Sequence, residues 1–185
     1  MYFSFATPSK EVIKAYFERF VDKWMEYNNS LPKIVWNEDV AEFIYSGTED
    51  EYGYISWKPM EKSMKFNFDE IEGQYNVQLH NSVKEYFNSY WFLELTGWIS
   101  SYNVNLHPVI PGIEPDYFIS LVKDYVESKE FTFKYIPIGY ESNGMLLVVN
   151  NNTGEIFVED FELNEYKKIA NSLESLILHL KFKDE

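Results

Sequence analysis

Met145-Leu146-Leu147-Val148-Val149-Asn150, then Asn151-Asn152-Thr153-Gly154, then Glu155-Ile156-Phe157-Val158-Glu159 reads as a β-hairpin. The first run is too short and too rich in branched residues for a stable helix. The Asn/Gly turn supplies residues that tolerate positive φ. In the second run Ile156 and Val158 alternate with Glu155, Phe157 and Glu159, as a half-buried strand requires. Beyond Asn164, the residues Ile169, Leu173, Leu176 and Leu180 recur at helical spacing. The tail is therefore expected to be one long amphipathic helix docked on a core, with Lys167, Lys168, Glu174 and Lys181 in water.

Upstream of this hairpin, helical and extended signals alternate. Thr7-Pro8 suits the start of a helix, Thr as cap and Pro in the first turn. Val12, Tyr16, Phe20 and Trp24, with Ile13, Phe17 and Val21 beside them, give that helix a broad apolar face, and it ends near Asn28-Asn29. Residues 31–53 read as extended or mixed and lead into an acidic tip, Glu49-Asp50-Glu51. Residues 54–57 have strand character and are stopped by Pro59, while 66–73 fit a short strand or a turn. Leu79, Val83, Phe87 and Tyr90 predict a second long helix from about residue 76 to 90. Strands follow over 92–99 and 104–109, and Pro115 opens a helix with Phe118, Val122 and Tyr125 inward. A further strand covers 131–138, where Pro137 marks an edge or a bulge. No linker or repeat divides the chain. The expected architecture is α+β: a single domain over residues 1–185, with an antiparallel or mixed sheet of about five or six strands covered by N-terminal, central and C-terminal helices.

Composition narrows the function classes. Fifteen Tyr, fifteen Phe and five Trp in 185 residues can fill a core unaided, and without cysteine neither a disulfide nor a thiolate metal site is possible. The first residues lack a basic region followed by a long apolar run, so no signal peptide is read. The longest uncharged stretch, 95–113, is broken by Asn103, Asn105, His107, Pro108 and Pro111 and does not span a bilayer. A cytoplasmic protein, at most peripheral at the membrane through another protein, is expected. The net charge is −14, from thirty acidic against sixteen basic residues, and Arg19 is the only arginine. Nucleic-acid binding needs clustered Lys and Arg, so it is excluded, and a basic protein partner is favoured. Residues 28–75 are the most acidic part, four lysines against ten carboxylates.

Catalytic signals are weak. His80, His107 and His179 stand isolated, without metal-ligand spacing, and no nucleophile elbow, P-loop or dinucleotide fingerprint occurs. Carboxylates cluster at Glu38-Asp39 with Glu42, at 49–51, at Asp69-Glu70 with Glu72, and at Glu159-Asp160 with Glu162. Solvated faces explain them, and only a hydrolase built on a converging pair would use them in catalysis. No enzyme, cofactor or metal is expected. Most rings in the aromatic run 86–92 belong to the core, and Trp57 or Trp98 is a candidate to line an exposed groove.

The run Leu147-Val148-Val149-Asn150 through Thr153-Gly154-Glu155-Ile156, with Ile169-Ala170-Asn171-Ser172-Leu173 and the segment 176–180 after it, resembles the Syd family. The N-terminal half agrees in order: residues 20–24 on a first helix, Leu31-Pro32, Thr48-Glu49-Asp50, and Trp57 with Pro59. Residues 51–56 form a slightly longer connection than the family pattern. Syd proteins interact with the SecY channel and are a branch of the SUKH superfamily, which includes many bacterial toxin-immunity proteins. The resemblance implies a non-catalytic binding domain with an acidic face. Its first reading is an immunity protein that neutralises a cognate toxin, and its alternative is a Syd-like protein bound to basic cytoplasmic loops of SecY. Glu49, Asp50, Glu51, Trp57, Asp69 and Glu70 are the expected partner-binding residues.

Overall fold

The computed structural model describes residues 9–183, so Thr7 and Pro8, expected to open the first helix, lie outside the described residues. Helix α1 (Ser9–Asn28) is followed by β1 (Lys33–Val35), a short 3-10 turn (Glu42–Ile44), β2 (Tyr45–Ser46), β3 (Tyr54–Trp57) and β4 (Met60–Glu61). Next come α2 (Asp69–Tyr75), α3 (Asn81–Phe87), β5 (Tyr90–Trp91), β6 (Leu95–Ile99), β7 (Tyr102–Leu106) and α4 (Asp116–Ser128). The chain continues through β8 (Tyr135–Glu141), β9 (Leu146–Asn150), β10 (Ile156–Asp160), β11 (Glu165–Ala170) and α5 (Leu173–Leu178). The fold is α+β.

The main sheet has six strands in the order β11-β10-β9-β8-β7-β6, an antiparallel meander in which sequence neighbours pair. Its centre is the expected hairpin, β9 against β10, with Val149 opposite Ile156 and Leu147 opposite Val158. Gly154 closes the turn at φ +73°, and a Cβ there would lie 2.5 Å from the His80 ring. Only glycine fits that close approach with positive φ. Asn151, beside it and buried, accepts the His80 N–H at 2.8 Å through Oδ1 and donates to the Gln78 carbonyl at 2.9 Å through Nδ2. The hairpin turn is thereby clamped to the entry of α3. The strand register shifts between Pro137 and Gly139, the bulge that Pro137 foreshadows, although β8 lies inside the sheet.

Leu147, Val148 and Val149 are all fully buried, and since successive strand residues point to opposite faces, both faces of β9 are covered. Helix α1 supplies Ile13, Tyr16, Phe17 and Phe20. The Tyr16 hydroxyl donates to the Thr96 carbonyl at 2.6 Å and accepts the Thr96 N–H at 3.0 Å, which pins α1 to β6. Helix α4 packs on β8, and its Phe118 stacks on Phe87 of α3 with ring centres 4.0 Å apart. Lys167 of β11 lies 5.2 Å from the Tyr102 ring at the start of β7, so the sheet curls and brings its last strand back toward its beginning.

Two helix boundaries differ from expectation. The tail is not one helix: residues 165–170 form β11, and only 173–178 are helical. The Leu173, Leu176 and Leu180 periodicity does mark buried residues, but Ile169 belongs to a strand that completes the pairing of β10. Asn164 turns the chain at φ 54°, and the Ser172 hydroxyl caps α5 by accepting the Ser175 N–H at 3.1 Å. Likewise the helix expected over 76–90 is α3 alone, because Asn76 in the left-handed region ends α2, His80 caps α3, and Tyr90 pairs as a strand with Glu61. Residues 66–73, read as strand or turn, contain the first part of α2.

Helix α5 packs on α1, and the chain beyond it returns to the sheet edge, where Lys181 and Trp98 exchange backbone hydrogen bonds of 2.9 and 2.7 Å. Leu176 on α5 is fully buried. Leu176→Asp should therefore lower unfolding stability by about 3 kcal/mol or more, since it removes apolar burial and strands a charge. Denaturant melts of variant and parent measure this, and an unchanged midpoint would show that α5 does not hold α1 to the sheet.

Candidate functional site

Outside the main sheet lies a small antiparallel one, ordered β1-β3-β2. In β3 the alternation is plain: Ile55 and Trp57 are buried, whereas Tyr54 is exposed and Ser56 half-buried. Tyr54 pairs with Val35 and Ser56 with Lys33, so these four side chains share the outer face. Val35 is 57% and Tyr54 43% exposed. Next to them Trp36 is 43% and Tyr52 77% exposed, and the Trp36 N–H is held by the Gly53 carbonyl at 2.9 Å. This is a cluster of large apolar groups in water, unusual for a face with no partner.

The segment that carries it is rich in carboxylates. Between residues 33 and 58 the chain carries Glu38, Asp39, Glu42, Glu49, Asp50 and Glu51 against Lys33 and Lys58. Glu49 and Glu51 are exposed on the β2–β3 turn. Asp50 has a different task. Its Oδ1 accepts the N–H groups of Tyr52 and Tyr54 at 3.1 and 3.0 Å, and its Oδ2 pairs with the Lys33 ammonium at 2.8 Å. The Lys33 contact and these N–H groups hold the Asp50 carboxyl below the usual range. Asp50 thus shapes the turn that displays Glu49, Glu51 and Tyr52.

Of the other expected partner-binding residues, Asp69 and Glu70 are exposed in the first turn of α2. No hydrogen bond or ion pair among the described residues joins them to the 49–51 turn. Trp57 corrects the sequence reading: it is fully buried, packed against Phe20 at 5.9 Å, and offers no ring to a partner. It sits on the inner face of β3 because strand alternation puts it there with Ile55, and its indole N–H has no hydrogen-bond partner. Trp98 is 38% exposed at the sheet edge. The residues that sequence reasoning missed are Val35, Trp36, Tyr52 and Tyr54. Their signal was available in the alternation of 54–57, which predicts opposite fates for Tyr54 and Trp57.

Glu159 departs from the solvated face expected of its run, and among the described residues it is one of three buried carboxylates with Glu114 and Glu141. Glu159 is fully buried, where it accepts the hydroxyls of Tyr125 and Tyr166 at 2.7 and 2.8 Å and the Lys129 ammonium at 2.5 Å. Burial and then the Glu159 contact raise the Tyr125 hydroxyl pKa. Burial alone would lower Lys129, but the bond to Glu159 leaves it raised. Both carboxylate oxygens are engaged, so the knot fastens α4 to β10 and β11. Glu114 is also buried: Oε2 accepts the Phe118 N–H at 3.0 Å and Oε1 has no partner. His107 is pushed down to about 4 by burial, and His80 serves α3 as a cap, its Nδ1 3.2 Å from the Ser82 N–H. Among the described residues no group of three His, Asp or Glu could hold a metal ion.

Burial pushes the Glu114 carboxyl up to about 7, against the pull of the Phe118 N–H and Lys62. The folded protein then holds a proton that the unfolded chain releases, so the contribution of Glu114 to stability falls as pH rises from about 4.5 to about 7. Glu114→Gln should melt close to the parent at about pH 5 and above it at about pH 8. Thermal melts at the two pH values decide this, and a variant that gains nothing at the higher pH would show that Glu114 takes up no proton on folding.

The family model described as Syd protein (SUKH-2) matches residues 10–110, which include α1, the small sheet and its carboxylates. Protein Syd of Idiomarina loihiensis is 21% identical over 164 residues, covering 84% of this chain and 88% of that protein. Protein Syd of Hahella chejuensis is 24% identical over 172 residues, covering 88% of each. The family match falls on the half that holds the candidate surface, and the two relatives carry the likeness through most of the chain. With more than half of its residues matched by the family model, this chain belongs to the Syd family.

Proposed function

We propose that this chain is a non-catalytic, cytoplasmic binding domain that docks a basic protein segment on the outer face of β1 and β3, and that the segment is a cytoplasmic loop of the SecY channel. The observation that supports this most is the exposure of Val35, Trp36, Tyr52 and Tyr54 in the most acidic part of the chain, with exposed Glu49 and Glu51 on the turn beside Tyr52. Aromatic side chains bury much area at small entropic cost and serve as anchors. The carboxylates raise the encounter rate with a cationic partner and select against acidic ones. Membership in the Syd family favours SecY over a toxin as the source of that segment. The immunity reading uses the same electrostatics and is the competing outcome of the test. No helix among the described residues is long and apolar enough to cross a membrane, so contact with the bilayer would run through the partner.

Because Asp50 shapes its own turn, the informative charge reversal leaves it in place. Glu49→Lys with Glu51→Lys should weaken binding to SecY loop peptides by about 1–3 kcal/mol, chiefly through slower association, with little change in melting temperature. The loss should shrink as salt rises, since charges more than about 8–10 Å apart are screened near physiological ionic strength. Tyr54→Ala should act on the dissociation rate instead, as truncated anchors do. Surface plasmon resonance against SecY loop peptides and against the product of the adjacent gene separates the partners. Binding to both that is indifferent to all these substitutions would put the interface elsewhere on the domain.

A further inference from the structure

With thirty acidic side chains against sixteen basic ones, a gathering of cations runs against the composition of this chain. One hollow has it. A cavity of about 490 Å³ is lined by Lys10 at the start of α1, Lys62 and Lys65 after β4, and Lys84, Asn81 and Asn88 of α3 and its cap. Residues 81, 84 and 88 recur at helical spacing, so one side of α3 forms a wall. Among the described residues Glu85 is the sole carboxylate in the lining. The volume falls within the range of about 300–1,000 Å³ usual for small-molecule sites.

Lys62 is the unusual member. It is only 6% exposed, yet no carboxylate lies within ion-pair distance of it among the described residues. Its ammonium donates to the Phe87 carbonyl at 2.8 Å and rests 3.0 Å from the centre of the Phe66 ring and 3.9 Å from that of Trp91. A carbonyl and two ring faces soften a buried charge without neutralising it. Burial accordingly pushes the Lys62 ammonium down to about 7, with Glu114 pulling the other way. Capping the last carbonyl of α3 accounts for the Phe87 bond, but not for three more lysines around the same hollow. Lys65 is exposed and has no hydrogen bond or ion pair among the described residues. Lys10 pairs with Glu61, and Lys84 with Glu72 at 2.9 Å. Asn88 Oδ1 accepts the Phe66 N–H at 2.7 Å, which leaves the amide N–H groups of Asn88 as the donors open to a ligand.

We propose that this hollow binds a phosphate group, carried either by a small soluble compound or by the headgroup of an anionic phospholipid. Phosphate suits the site because its several oxygens accept from dispersed ammonium and amide donors, and lysine is an established point-charge ligand for it. A carboxylate ligand has fewer oxygens to share among Lys65, the Lys62 ammonium and the Asn88 amide. The site is independent of the acidic surface proposed for the protein partner and carries the opposite charge.

Trp91, under the Lys62 ammonium, provides the readout. The full chain is titrated with inorganic phosphate and with phosphoserine at constant ionic strength while tryptophan emission is followed. In parallel it is sedimented with phosphatidylcholine vesicles with or without a minority of phosphatidic acid. Saturable binding should appear in one arm or both, with the emission change lost in Trp91→Phe. Lys65→Glu, at an exposed position, should weaken it by about tenfold or more, and Lys62→Met should do the same. Lys167→Glu, outside the hollow, controls for the change in net charge. Response to the soluble phosphates identifies a compound as the source, and sedimentation only with phosphatidic acid identifies a lipid headgroup. Absence of binding in both arms overturns the proposal. So does binding that Lys65→Glu leaves intact or that Lys167→Glu weakens equally.

Discussion

Both faces of the central hairpin must be kept dry, and the remainder of the chain is arranged to meet that demand. Leu147, Val148, Val149 and Ile156 are fully buried in adjacent strands, which an antiparallel sheet with one wet face would not allow. Helices have to be supplied from both ends of the sequence: α1 from the start, α4 from the middle and α5 from the end. Burying loop backbone beneath those helices creates a polar debt, and Asn151 settles it by bonding the chain on both sides of Leu79. The same clamp sets the start of α3, whose side chains then meet Phe118 of α4. One turn amide therefore couples the sheet to the helical layer.

The small sheet escapes that demand. Its inner face delivers Ile55 and Trp57 to the core, and nothing among the described residues covers Val35 and Tyr54 on the outer face. Exposed aromatic residues invite self-association, and exposed carboxylates beside them such as Glu49 and Glu51 oppose it, because two copies of the same acidic surface repel. On the proposed reading, the charge that opposes self-association is the same charge that would attract a cationic segment.

Much of this was legible in the sequence where a local rule had no competitor. The Asn/Gly turn permits little besides a hairpin, the double stripe of α1 fits only a helix against a core, and Pro115 does begin α4. Legibility failed where two periods fit the same residues. Ile169, Leu173 and Leu176 satisfy helical spacing, but the unpaired edge of β10 takes residues 165–170 as a strand first. Leu79, Val83, Phe87 and Tyr90 are all buried as the pattern requires, yet they belong to a loop, a helix and a strand. Periodicity reports which side chains seek the core more faithfully than it reports the backbone that carries them there.

Glu159 and Asp50 show the same limit for charge. Both sit in acidic runs that composition assigns to solvent, and Glu159 is nonetheless the buried centre of a knot with Tyr125, Tyr166 and Lys129. Two of its three donors, Tyr125 and Lys129, come from α4 and its C-terminal cap, far upstream in sequence, so no local pattern could have separated it from its exposed neighbours. A carboxylate with all its acceptors occupied contributes little long-range field, whereas Glu49 and Glu51, exposed and unpaired among the described residues, contribute fully. Composition alone therefore does not say which carboxylates shape the field around a given surface. Of the exposed carboxylates, Glu49 and Glu51 are those that shortly precede Tyr52 in sequence, where an approaching cationic segment would find apolar surface to bury.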